Sequence, residues 1–262
     1  MPLAGVVGWP VAHSRSPRMH EAGYRELGLE GWRYQLLPVP PGLFDEVVRA
    51  LPDAGFAGVN VTIPHKEAAL AVADEAAPRA RAIGAANTLT FAAGRIEADN
   101  TDAPGLIAAL PAPPAGRSAL VLGAGGSARA AVWALLDAGA RDVMVWNRTR
   151  ARAERLCAEI GGRVVAAPEP ADLLVNCTAA GLDDPAAGLK DLPLGADALD
   201  EYSVVVDLVY GEVPTRLIEA ARGAGLEVVT GSEVLVRQGA EGFRRWTGRE
   251  APLGAFRAAA RD

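Results

Sequence analysis

Lysine is nearly absent from this chain. Two lysines, Lys66 and Lys190, stand against 24 arginines. A guanidinium stays protonated at any working pH, whereas an amine with a lowered pKa releases its proton. Lys66, in "NVTIPHKEAAL", follows by two positions the proline that ends an apolar run. It is a candidate proton carrier, and a solvated lysine in a first helical turn is the plainer alternative. Cysteine is equally scarce. Cys157 and Cys177 have no metal-ligand spacing and read as reduced, buried thiols of a cytoplasmic protein. The three histidines, His13, His20 and His65, lack zinc spacing, so no metal is expected. Basic charge is not in excess. A net charge of −6 weighs against a nucleic-acid partner. No apolar stretch reaches membrane-spanning length, and "MPLAGVVGWPVAH" has neither a basic start nor a signal-length apolar core. A membrane partner is therefore not expected.

What is present is an alternation. Half of the 262 residues are hydrophobic, enough for one large or two modest cores. Short apolar strands ("LAGVVG", "WRYQLLPV", "GVNVTI") alternate with amphipathic helices ("LFDEVVRAL", "PHKEAALAVADE"). Ser16-Pro17 reads as a hydroxyl cap and first helical proline. "ANTLTF" and "RIEADN" read as a two-stranded excursion around Ala93-Gly94. After the break "PAPPAG", a second unit runs strand, Gly-rich turn, helix, strand. The fold class is α/β, with two open domains whose sheets are mostly parallel. The tail from "SEVLVRQ" onward reads as helical and returning to the first unit.

The turn is "VLGAGGSARA", with Gly123, Gly125 and Ala128 at dinucleotide-binding spacing between a strand and a helix. The glycines allow a tight turn and close backbone approach to a pyrophosphate, and the helix N-terminus favours its charge. An NAD site ends its second strand in an acid that binds the ribose hydroxyls. Here that place holds Asn147, Arg148 and Thr149, with Arg152 one turn on. A guanidinium pairs with a 2′-phosphate that an acid would repel, so the cofactor reads as NADP. Asp102, in "DNTDAPG", stands at the junction of the units as a possible carboxylate partner for Lys66; a helix N-cap is its plainer role.

Taken in order, "GWPVAHSRSPRMH", "NVTIPHKEAA", "IGAANTL", "DNTDAPG", "GAGGSARA", "NRTRARA", "VVDLVYGEVPT" and "VRQGAEGFRRWTG" resemble the shikimate dehydrogenase family nearly end to end. The resemblance implies NADP-dependent interconversion of 3-dehydroshikimate and shikimate, in aromatic amino acid and chorismate biosynthesis. It implies a substrate domain at 1–103 plus 234–262 and a Rossmann-like NADP domain at 104–233, separated by a cleft. Ser14, Ser16 and Tyr210 would hold the ring carboxylate. Thr62, Asn87 and Gln238, with Lys66 and Asp102, would bind ring hydroxyls. Lys66 and Asp102 would share the proton chemistry. Ala124, Gly126, Ser127, Thr178 and Gly231 would join the cofactor contacts. Glu21, Ala179, Leu182, Ala103, Ser232, Glu233 and Val234 depart from the usual pattern, which bears on the nicotinamide contacts. The rivals are an NAD-preferring enzyme that accepts quinate, a related dehydrogenase of the same plan acting on methylene-tetrahydrofolate, and a non-catalytic NADP-binding sensor. The small-molecule partner leaves monomer or homodimer open.

Overall fold

The computed structural model describes residues 1–185 and 188–261. In chain order the elements begin β1 (Leu3–Gly8), α1 (Ser16–Glu26), β2 (Arg33–Pro38), α2 (Phe44–Ala50), β3 (Phe56–Val61), α3 (Lys66–Val72) and β4 (Glu75–Ala76). They continue with α4 (Pro78–Ile83), β5 (Thr88–Ala92), β6 (Arg95–Asp99), α5 (Asp102–Ala109), β7 (Ser118–Leu122), α6 (Gly126–Asp137), β8 (Asp142–Trp146) and α7 (Arg150–Ile160). The rest are β9 (Arg163–Val164), β10 (Leu173–Asn176), β11 (Val204–Asp207), α8 (Arg216–Gly223), β12 (Glu227–Thr230), α9 (Gly231–Thr247) and α10 (Leu253–Arg261). Two compact units result: residues 1–105 with 235–262, and residues 106–234.

The first unit holds a six-stranded sheet in the order β2-β1-β3-β5-β6-β4. The β1, β2, β3 pairings and β4–β6 are parallel, while β3–β5 and β5–β6 are antiparallel. The segment expected to be an excursion is thus a hairpin built into the middle of the sheet. It turns at Ala93 and Gly94, both with positive φ, which matches the twist of the flanking strands. Side chains along β3 alternate between faces. Val59 and Val61 join Val7, Phe44, Val48 and Leu89 in a core closed by α2 and α3. Gly58 and Asn60 turn to the other face, toward Trp246 and Tyr34.

That other face carries an aromatic cluster around His20. The imidazole stacks on Tyr34 with centroids 4.2 Å apart and is ringed by Tyr24, Phe243, Trp246 and Phe256. Among the described residues, neither of its nitrogens, nor the Tyr24 hydroxyl, finds a hydrogen-bond partner. Burial pulls the His20 pKa from its ordinary 6.5 to about 3. The folded protein keeps this ring neutral while an unfolded chain protonates it, so stability is lost as pH falls below about 6.5. The loss amounts to about 2 kcal/mol by pH 5. His20→Phe is expected to remove this part of the acid sensitivity. Urea midpoints at pH 7 and pH 5 check it, and an equal drop in parent and variant would refute the assignment.

The second unit holds an all-parallel sheet in the order β12-β11-β10-β7-β8-β9. Counted within the unit this is 3-2-1-4-5-6, the doubly wound dinucleotide-binding order. Both faces are buried, so its strands read as near-continuous apolar runs. Val121, Val145, Val175 and Val206 face one core, and Leu122, Met144, Leu174 and Val205 the other. Cys157 and Cys177 form no disulfide and are half-buried, less enclosed than the buried thiols expected.

Candidate functional site

Strand direction explains why distant residues meet in the first unit. The loops carrying Ser14–Ser16 and Thr62–Lys66 leave the C-terminal ends of β1 and β3, which lie side by side and parallel. Strand β5 runs antiparallel to β3, so Asn87, just before it, lies at that same edge. Strand β6 runs back again, pairing Asp99 with Thr88, so Asp102 also emerges there.

Lys66 is the first residue of α3. Its Nζ donates to Asp102 Oδ2 at 2.6 Å, and the two side chains are 12% and 18% exposed. The pair is shielded, yet open enough for a small molecule to reach it. Asp102 Oδ1 accepts from Asn87 Nδ2 at 2.8 Å. The same amide lies 3.1 Å from Gln238 Oε1. Gln238 Nε2 donates to Leu235 O, one turn back along α9. Asn87 Oδ1 in turn accepts from the Thr101 backbone N–H at 2.6 Å. The N-cap alternative for Asp102 is not the one used: Asn100 Oδ1 takes the Ala103 N–H. Thr62 stands one turn ahead of Lys66, fixed by Thr62 N–H to Val7 O and His65 N–H to Thr62 O.

The two serines form a separate turn. Helix α1 starts at Ser16, so Arg15 occupies the N-cap place and its side chain does not cap. The Ser14 hydroxyl accepts from Ser16 N–H at 3.3 Å, a serine turn ahead of the helix, so the hydroxyl cap expected at Ser16 is not formed. Tyr210 belongs to the second unit, on the segment after β11, half-buried.

Sequence reasoning passed over Asp99. Its carboxylate is buried and receives Arg79 Nε at 2.7 Å and Nη2 at 2.8 Å, the Asn100 N–H at 2.7 Å, and Arg245. This ties α4, β6 and α9 together three residues before Asp102. The polar run "DNTD" at the end of β6 was the available signal.

In the second unit, Gly123 follows β7 with φ +113, a conformation glycine adopts without strain. A Cβ there would lie 3.2 Å from the Cys177 backbone. Gly125 is extended and its Cβ position faces open space, leaving room for a ligand against the N-terminus of α6. Ala124, Gly126 and Ser127 complete the turn, and Ala128 is fully buried against the sheet. Past β8, Asn147 Nδ2 bonds Thr149 O at 2.8 Å. Arg148, Thr149 and Arg152 are exposed. Arg150 and Arg155 pair with Glu154 and Glu159, whereas Arg148 and Arg152 have no ion pair among the described residues. An open glycine cradle, a helix N-terminus and two unengaged guanidiniums fit a dinucleotide bearing an extra phosphate.

Thr178, after β10, is oriented by its hydroxyl and N–H, both to Asn176 Oδ1. Asn176 Nδ2 donates to the buried Asp207, which also accepts from Val209 N–H and the Thr215 hydroxyl. Burial pushes the Asp207 carboxyl above its ordinary range, against the pull of these three donors. This trio was missed in the sequence, although one polar residue closing each apolar strand ("LLVN", "VVVD") marked two of its members. Gly231 lets the chain pass close to Leu208, whose oxygen would lie 2.5 Å from a Cβ. Among the described residues, no group of three His, Cys, Asp or Glu side chains is placed to hold a metal, and no helix is long and apolar enough to cross a membrane.

Comparison with known proteins bears directly on these two constellations. Family models described as shikimate dehydrogenase substrate binding domain, shikimate/quinate 5-dehydrogenase, and shikimate 5′-dehydrogenase C-terminal domain match residues 6–89, 111–180 and 231–261. The shikimate dehydrogenase (NADP(+)) of Paracoccus denitrificans is 47% identical, with 95% of this chain and 91% of that protein aligned. The enzyme of the same name from Methylobacterium radiotolerans is 49% identical over 94% and 92%. The crystal structure of shikimate 5-dehydrogenase from Thermus thermophilus, in complex with NADP(H) and shikimate, superimposes with a TM-score of 0.89 at 44% identity, covering 100% of this chain and 99% of that one. With identities this high over nearly its whole length, the chain belongs to the NADP-dependent shikimate dehydrogenase family.

Proposed function

We propose that Lys66 is the proton carrier in the reversible NADPH-dependent reduction of 3-dehydroshikimate to shikimate, the step of aromatic amino acid and chorismate biosynthesis this enzyme performs. The observation that carries the proposal is the 2.6 Å contact between a largely shielded amine and Asp102, whose second oxygen is held by Asn87. In oxidation, the neutral Lys66 amine takes the proton of the reacting hydroxyl; in reduction, its ammonium returns that proton to the carbonyl oxygen. Asp102 accepts from the amine and, with its other oxygen held by Asn87, directs that amine at the reacting oxygen. NADP(H) supplies or takes the hydride at the carbon. Thr62, Asn87 and Gln238 offer groups that donate or accept, matching the other ring hydroxyls. Ser14 and Ser16, at the N-terminus of α1, suit the ring carboxylate.

Gly123, Gly125 and the N-terminus of α6 would hold the pyrophosphate, with Arg148, Arg152, Asn147 and Thr149 on the 2′-phosphate and Thr178 and Gly231 toward the nicotinamide. NADPH-dependent reduction and two cysteines outside any disulfide fit the reducing cytoplasm.

The test is purified protein with shikimate or quinate against NADP+ and NAD+, followed by absorbance. Turnover is expected with shikimate and NADP+. Arg148→Ala is expected to raise KM for NADP+ about tenfold, from the loss of a charge-assisted phosphate bond, and to leave KM for NAD+ unchanged. Comparable parent turnover with NAD+ would remove the phosphate clamp from the reading. Comparable turnover with quinate would remove its substrate preference.

A further inference from the structure

Arg15 sits between the two serines, but its side chain leads elsewhere. It is 7% exposed, and its Nη1 donates to the Ala260 carbonyl at 2.5 Å. No carboxylate pairs with it among the described residues. Helices α1 and α10 pack antiparallel. A Cβ on Gly23, late in α1, would lie 2.4 Å from Phe256, early in α10. At the opposite ends of the pair, Arg15 meets Ala260 in the last turn of α10.

This packing has an electrostatic consequence. The last carbonyls of a helix lack helical partners and carry partial negative charge, roughly half an electron in sum. Here one of them is bonded by Arg15, the residue between Ser14 and Ser16 at the N-terminus of α1. A negative helix end in that place opposes a carboxylate. A guanidinium bonded to one of those carbonyls offsets it, and the same bond anchors the serine turn.

We propose that Arg15 is a positioning residue for the substrate carboxylate, capping the C-terminus of α10 and so holding the Ser14–Ser16 turn in an anion-accepting state. The proposal rests on the reading of the serines given above. It makes the last helix part of the substrate site, although no side chain of that helix takes part.

The test is steady-state kinetics on full-length Arg15→Gln and Arg15→Lys. Loss of the charge in Arg15→Gln is expected to raise KM for shikimate about fivefold, the size of a favourable helix-end charge effect. Turnover and KM for NADP+ are expected to stay within about twofold, and Arg15→Lys to keep KM for shikimate within about twofold of the parent. An unchanged KM for shikimate in Arg15→Gln overturns the proposal. So does a fall in turnover together with a rise in both KM values, the mark of general loosening. Should Arg15→Gln melt early, Arg15→Lys decides: a raised KM in that charged, stably folded variant is the overturning result. Ser14→Ala and Ser16→Ala run alongside. If they raise KM for shikimate and Arg15→Gln does not, only the Arg15 proposal fails; if none of them raises it, the serine reading fails and takes the proposal with it.

Discussion

Lys66→Met is expected to lower turnover by about a hundredfold to ten-thousandfold, the usual loss when a positioned acid–base group is removed. Methionine keeps the length and much of the apolar stem of lysine. Asp102 keeps its Asn87 bond, and KM for shikimate should move by only a small factor. Lys66→Arg is the sharper companion. It retains a cation able to pair with Asp102 but cannot release a proton, so its turnover should fall as far. Substantial turnover in Lys66→Arg would mean that only charge is needed, and retained turnover in Lys66→Met would end the assignment. A fall in both variants would also explain why a chain so strongly biased to arginine keeps a lysine here.

The second large effect is on stability. Gly58→Ala would place a methyl group 2.1 Å from Trp246 Nε1 and 2.4 Å from Leu89 O. The Leu89 carbonyl belongs to the strand paired with β3 and has little freedom to retreat. Trp246 must therefore move, losing its 3.1 Å bond to Leu89 O and disturbing the aromatic cluster. Overpacking plus a lost buried hydrogen bond amount to about 3 kcal/mol or more. For a protein of this size that lowers the melting temperature by on the order of 10 °C. Thermal melting of the full chain checks it. A shift under about 1 °C would show that the indole yields at no cost.

Local pattern carried much of the fold. In the second unit, buried strands, glycine turn and the Asn147–Arg148–Thr149 end of β8 all lie in one short stretch, where periodicity and composition are direct reports. The first unit was less legible. "ANTLTF" and "RIEADN" gave a hairpin, but nothing local says that a hairpin slots between two parallel-paired regions. That placement is what brings Asp102 to Lys66 across 36 residues. The sequence points to a cap at Ser16, yet the bond formed is a turn from Ser14 two residues earlier, because both serines satisfy a cap preference and only backbone geometry separates them. Asp99, Asn176 and Asp207 act through long-range bonds, and a lone polar residue at a strand end carries no mark of its distant partners.

The first unit is discontinuous in the chain, with residues 106–234 interposed before its last segment, 235–262. That segment brings Phe243, Trp246 and Phe256, which cover the ring of His20. During translation, at about 5–20 residues per second, the second unit is therefore complete while the first still waits for its closing helices. Until they emerge, His20, Tyr24 and Tyr34 lack the rings that cover them in the finished fold. Gln238 is also the last of the site residues to be made, so Lys66 is synthesised early and the constellation around it cannot be assembled before the chain is nearly finished.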